Sequence, residues 1–401
     1  MPLTTTTLVL SPVLVIFGVV VSLSNAGFAD PYWLDLSSKS TVGVLFLAPG
    51  FAALCAWDAA RWRSLAQTSV RSWVELLAWQ LLYVVVATAV TFAVTLAILY
   101  AQVPPAVGAP RFDVLALGTG VTAAYAAVGF AFGRFMPRLV AASAAFGVVW
   151  LWVAYTPAVQ PFWMRNVTGN LGTSCCAVDT ELAPMALTAP AVLALGLLVG
   201  VCVILTWSHW RVAQVGSALV VVAALALSGS LVSSVGADPV QRRSGAQECL
   251  GAADTRFCGW PEHAAALSEA APVLVKTVLR LREAGLDVPE SLHEDQKANG
   301  WSFSLAADSP DIWGSVLATS KIDDLPPACT DDNGGLWPAG EDYPLVGAWL
   351  AAVGGVPERE AAQTWGASPR ELKRLLGTSA ASQLAWFDET DAAMRTCEPV
   401  S

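Results

Sequence analysis

Two histidines stand beside carboxylates, in Glu262-His263 and in His293-Glu294-Asp295. Imidazole next to carboxylate is the material of a zinc hydrolase, with both histidines and one carboxylate as ligands and a second carboxylate as base. The surrounding sequence argues for something plainer. There is no His-Glu-x-x-His, no Gly-x-Ser-x-Gly elbow, and no Gly-x-x-x-x-Gly-Lys-Ser/Thr loop to cradle phosphates. Glu262 is therefore expected in the first turn of a helix, against its positive dipole end, and His293-Glu294-Asp295 on a solvated surface. No catalytic, cofactor-binding or metal-ligating residue is assigned, and the chain is read as not an enzyme.

The elements that position these residues divide into two materials. Of 401 residues, 55% are apolar and 13% charged, about half the charged share usual in a soluble globular protein. Nine basic and seven acidic residues fall before residue 236, against 13 basic and 25 acidic after it. The first part is too apolar to keep in water, whereas the remainder has the composition of a soluble, acidic domain. With a pI near 4.8 and no basic patch, nucleic acid is not an expected partner. The division gives a transmembrane domain over 1–235 and a further domain over 236–401.

Seven stretches approach the roughly 20 apolar residues that cross a hydrocarbon core. They run over Leu8 to Leu23, Thr41 to Trp57, Leu76 to Tyr100, Val114 to Phe135, Leu139 to Tyr155, Ala186 to Trp207 and Val212 to Val235. Asp30-Pro31, Pro104-Pro105 and the Arg134 to Arg138 segment separate them, and tryptophans such as Trp62, Trp73, Trp152 and Trp163 gather near their ends, as suits the headgroup layer. No Lys or Arg precedes the first stretch. A secretory signal needs a basic start, so this helix is expected to remain uncleaved.

Orientation follows from the short loops. An inside amino terminus puts Arg61, Arg63, Arg71, Arg134, Arg138 and Arg211 in the cytoplasm and leaves Lys39, Arg111 and Arg165 outside. Seven spans then carry the acidic domain to the far side of the plasma membrane. On this topology Cys175, Cys176, Cys249, Cys258, Cys329 and Cys397 face an oxidising compartment, where an even number suits a disulfide framework. Cys249 and Cys258 flank a short loop, and Cys329 is placed to tie down Cys397. Six cysteines permit 15 pairings, and adjacent Cys175 and Cys176 fit a vicinal disulfide, other partners or free thiols equally.

No ionisable residue falls near the middle of a span, which counts against a carrier built on a charge relay. Gln80, Thr88, Thr91, Thr95, Thr119 and Thr122 are read as helix-packing groups, and Gly129-x-x-x-Gly133 and Gly196-x-x-x-Gly200 as close helix contacts. From Asp58 to Glu75, Trp62, Leu65, Val70, Trp73 and Leu77 recur at helical spacing opposite Arg61 and Arg71, predicting an amphipathic helix at the cytoplasmic surface. Arg61, Arg63 and Arg71 are the candidate docking residues for a cytoplasmic partner.

The acidic domain reads as mainly helical. One helix starts near Pro261 and carries Leu267, Ala271, Leu274, Val278 and Leu281 on one face before Gly285. Ser368-Pro369-Arg370-Glu371 has a capping-box pattern, a helix is predicted from Ser379 to Arg395, and Tyr343 to Val353 is a core helix too short to span. Trp301 to Leu305 alternates like a strand.

The run Cys258-Gly259-Trp260-Pro261-Glu262-His263, after Cys249 and at the head of an outer domain on an alanine-rich bundle, resembles a family of actinobacterial integral membrane proteins associated with ATP-binding-cassette transporters. The resemblance rests on that motif (Cys258, Trp260, Pro261, Glu262 and His263), the layout, and the proline-capped helix ending in Cys397. It implies a permease-like or accessory subunit without its own ATPase site, and it transfers no catalytic residue. The expected partners are the bilayer, a cytoplasmic ATP-binding-cassette ATPase, and further subunits in a homo- or hetero-oligomer. The alternatives are a membrane-anchored extracytoplasmic binding or sensing protein and, behind it, an extracytoplasmic metallohydrolase using His263 and His293.

Overall fold

The computed structural model of the protein describes residues 5–24, 29–66, 72–105, 107–171, 175–206, 210–236, 238–252, 254–305, 310–322 and 342–396. The chain is mostly helical and forms two compact units, Met1–Ser244 and Gly245–Ser401.

In the first unit, eight α-helices among the described residues run as α1 (Thr6–Ser24), α2 (Trp33–Ser40), α3 (Val44–Ala66), α4 (Trp73–Gln102), α5 (Phe112–Phe135), α6 (Arg138–Tyr155), α7 (Pro184–Thr206) and α8 (Trp210–Val232). With α2 and α3 joined as Trp33–Arg63, seven helical segments among the described residues are long and apolar enough to cross a membrane. The first five contain the corresponding stretches legible in the sequence, and the last two, Pro184–Thr206 and Arg211–Val232, overlap theirs but end before Trp207 and Val235. The second is the most extended relative to expectation. It begins at Trp33 because Asp35 and Lys39, one turn apart, neutralise each other at 2.7 Å, so a polar turn can precede the apolar run.

Both glycine pairs lie at helix crossings. A Cβ on Gly129 or Gly133 of α5 would run into the Ala52 or Ala56 carbonyl of α3, and one on Gly196 of α7 would meet the Ala224 side chain of α8. Backbones therefore approach as closely as small residues permit. Three buried hydroxyls bond back to their own helices: Thr91 donates to the Ala87 carbonyl at 2.9 Å, Thr95 to Thr91 at 2.9 Å, and Thr122 to Gly118 at 2.8 Å. Val9, Ile16, Leu139, Leu195 and Leu219 point outward from the bundle, an apolar exterior of the kind that a bilayer covers. Strand β1 (Thr180–Leu182) pairs antiparallel with β2 (Val240–Arg242), which holds the chain to this unit beyond α8.

The second unit opens with a hairpin, β3 (Glu248–Ala252) and β4 (Thr255–Gly259), and β5 (Ser291–His293) adds parallel to β4. After a 3₁₀ turn at Pro261–His263 come α9 (Ala264–Glu283), α10 (Pro310–Thr319), a second 3₁₀ turn at Ser320–Ile322, α11 (Tyr343–Gly354), α12 (Glu358–Trp365), α13 (Pro369–Leu376) and α14 (Ala380–Thr396). Leu267, Leu274, Val278 and Leu281 on α9 pack into one core with Trp313, Leu317, Trp349, Leu350 and Phe387. Gly285 (φ 90°) ends α9 and Gly355 (φ 113°) ends α11, each in the left-handed region that favours glycine.

Three local expectations change. Pro261 opens a 3₁₀ turn rather than the α-helix itself, which begins at Ala264. Ser368 precedes α13 as its cap residue but makes no side-chain cap bond. The Trp301 to Leu305 alternation forms isolated bridges, Ala298 with Trp301 and Glu294 with Phe303; Trp301, Ser302, Phe303 and Leu305 are all buried, so no solvent face exists to justify a two-residue period.

Candidate functional site

The motif at residues 258–263 is built into a buried polar node. Strand β5 lies beside β4 in register Cys258↔His293, and the Glu294 amide donates to the Cys258 carbonyl at 2.9 Å. That pairing drops Glu294 into the interior with 0% exposure. Its Oε2 accepts from the Trp260 amide at 2.9 Å. Its Oε1 meets His263 Nδ1 at 2.5 Å and accepts from the Leu305 amide at 3.3 Å. One carboxylate thus ties the turn after β4, the head of α9 and the segment leading into residue 305. Charge-assisted bonds of this kind are stronger than neutral ones and hold their donors in place. Gly259 belongs to the same construction, since a Cβ there would crowd Glu294 Oε2 at 3.2 Å and Leu267 at 3.2 Å.

This corrects the expectation of a solvated His293-Glu294-Asp295. Glu294 is interior because a histidine and two amides satisfy it, which compensates the desolvation of the charge. His263 is also buried, and Glu262, expected in the first turn of the helix, is buried in the 3₁₀ turn ahead of it. His293 turns to other partners, with Nδ1 2.7 Å from Gln247 Oε1 and Nε2 3.3 Å from Ser291 Oγ. The two histidines therefore do not converge on one carboxylate. Among the described residues, no three His, Cys, Asp or Glu side chains are grouped to hold a metal ion.

Cys249 and Cys258 face each other directly across the β3–β4 ladder. Cys175 and Cys176 adjoin one another inside a small core with Leu34, Val114 and Leu171. Cys329, Cys397 and the docking candidate Arg71 lie outside the described residues. Arg61 and Arg63 occupy the last turns of α3, which continues through Ala66 in place of a separate surface helix beginning at Asp58. Arg63 Nη2 donates to the Gly133 carbonyl at 3.0 Å and to that of Met136, so it caps α5. Trp62 and Trp73 both pack edge-on against Phe130, and the Arg134 guanidinium stacks 4.4 Å over Trp73.

A second buried carboxylate, in the first unit, carried no signal in the sequence. Asp58 of α3 is fully buried and holds the start of α1. It accepts from the Thr6 amide at Oδ1 (2.9 Å) and, at Oδ2, from the Thr7 amide (2.9 Å), the Thr7 hydroxyl (2.9 Å) and Gln80 Nε2 (3.1 Å). An anion at a helix amino terminus meets unsatisfied amides and a favourable dipole. The arrangement is that of a clamp, with no neighbouring acid or base placed to pass a proton onward among its named partners.

A domain of unknown function (DUF7224) matches residues 257–397, beginning within β4 and covering the Glu294 node. No curated protein and no solved structure matches the chain.

Proposed function

We propose that the chain is a permease-like or accessory membrane subunit of an ATP-binding-cassette transport system, with a cytoplasmic amino terminus and its acidic second unit outside. The observation that carries this reading is the set of seven apolar helical segments in a chain that has no phosphate-binding loop of its own. A polytopic bundle with its polar groups committed to helix contacts, as Asp58 and Gln80 are, supports movement driven by a separate ATPase over a built-in proton or sodium relay. The excess of arginine in the loops assigned to the inside supports the orientation.

Arg61 and Arg71 are the docking residues to test, because Arg63 already caps α5. Purification from its native membrane in mild detergent should recover an ATP-binding-cassette ATPase, and Arg61→Glu with Arg71→Glu should release it while the bundle stays intact. Repeated recovery without any ATPase would sink the reading. Protease shaving of intact cells should remove the carboxy-terminal unit; protection until lysis overturns the orientation. The second reading, a membrane-anchored binding or sensing protein, is supported by the separate core of the second unit.

A further inference from the structure

The second unit contains a cleft of about 810 Å³ between α9, α10, α11 and α12, within the range of small-molecule sites. Its chemistry is uneven in an informative way. Lys276 and Arg280, one turn apart on α9, both line it, and neither makes an ion pair or a side-chain hydrogen bond among the described residues. Like charges at that spacing repel and cost the helix stability unless something answers them. Glu360 on α12 is the one carboxylate among the described lining residues, so the wall keeps a net positive charge.

Between the two cations lies Thr277. It is 3% exposed, lines the cleft, and has no hydrogen-bond partner among the described residues. Most interior hydroxyls in this protein bond back to a helix carbonyl, as Thr319 does to Ser315 at 3.0 Å. Its hydroxyl is therefore open to the cleft, where a ligand acceptor can take it. Gly314 lets α10 pack closely beside it, since a Cβ there would come within 2.9 Å of Thr277 Oγ1. At Gly355 the Arg280 guanidinium occupies the volume that a Cβ would take, so the arginine lies along the end of α11. The remaining wall is apolar, with Val273, Ile312 and Trp365.

We propose that this cleft binds a small organic anion, with its carboxylate or phosphate held by Lys276, Arg280 and the Thr277 hydroxyl and its apolar body against Val273, Ile312 and Trp365. Arginine and lysine together provide a planar fork and a point charge for one acid group. The proposal goes beyond the transport role and depends neither on it nor on which side of a membrane the unit lies.

The test uses the full chain in phosphatidylcholine nanodiscs, titrated calorimetrically with 2-naphthoate, 1-naphthyl phosphate and neutral methyl 2-naphthoate. At least one acid should saturate at a single site with a Kd below about 1 mM, and the ester should bind at least about tenfold more weakly because it lacks the charge. The stronger of the two acids identifies the head group. Lys276→Gln with Arg280→Gln should weaken the acid about tenfold or more, whereas Lys276→Arg alone, which keeps the charge and the Arg280 fork, should stay within about threefold. Ser315→Trp, which fills the cleft from α10, should abolish binding while the melting temperature is retained; it serves as the blocking variant if the double glutamine protein does not fold. Equal binding of acid and ester, unchanged affinity after charge removal or filling, or no saturable binding of either acid would each overturn the proposal.

Discussion

Glu294 is the polar centre around which the motif at residues 258–263 is built. It holds Trp260, His263 and Leu305 at once. Glu294→Ala should leave three buried donors without an acceptor, a loss of about 3 kcal/mol or more. His263→Ala should cost less, because both backbone donors keep their carboxylate. Thermal melts of the two variants check the order; equal effects would mean that the amides contribute nothing. Nothing local announced this burial. His293-Glu294-Asp295 reads as a solvated triplet because all three side chains are polar, and the partner that makes the interior tolerable lies 31 residues upstream. Asp58 escaped for the same reason. Two of its donors are backbone amides at Thr6 and Thr7, and an amide leaves no mark in a sequence. In a composition count it appears only as one more charge near Arg61.

Among the elements, the spans were legible because apolar length belongs to each segment by itself. The pairing of helices was not. Gly129-x-x-x-Gly133 indicates a close contact, but only the fold shows that the facing atoms are the carbonyls of Ala52 and Ala56 on α3. Gly133→Leu should therefore separate α3 from α5 and lower the detergent melting temperature sharply, while Gly120→Leu, where a Cβ meets nothing, should be tolerated. Comparable losses at both positions would refute the crossing. The amphipathic pattern from Asp58 to Glu75 misled because the same period suits a helix end packed inside a bundle: Trp62 lies on Phe130 and Arg63 on the end of α5. Arg63→Ala should remove both of those carbonyl contacts at a cost of about 1.5–3 kcal/mol, read as reduced stability of the purified bundle.

At the scale of the whole molecule, the step in charge density near residue 235 marked two materials, and the fold divides into two units at Ser244. Composition shows such a step because an apolar exterior and a solvated one need different residues. The second unit has its own core, from Phe257 to Met394, so residues 245–401 expressed alone should be soluble and helical and should melt cooperatively. The small three-stranded sheet was missed, since β5 is three residues long and joins β4 across α9. Cys249 and Cys258, opposed in register, should resist alkylation in protein isolated without reductant if the unit reaches an oxidising compartment. Full labelling of both would place it on the reducing side.

The clamp at Asp58 also sets an order of events during synthesis. Helix α1 leaves the ribosome well before its acceptor, and Gln80 follows later still. Until then the first helix has a loose leading end, held by lipid and whatever insertion machinery accompanies it. Nascent chains halted ahead of residue 58 should therefore slip or be extracted more readily than chains halted after residue 80, so α1 is secured only after two later helices have been made.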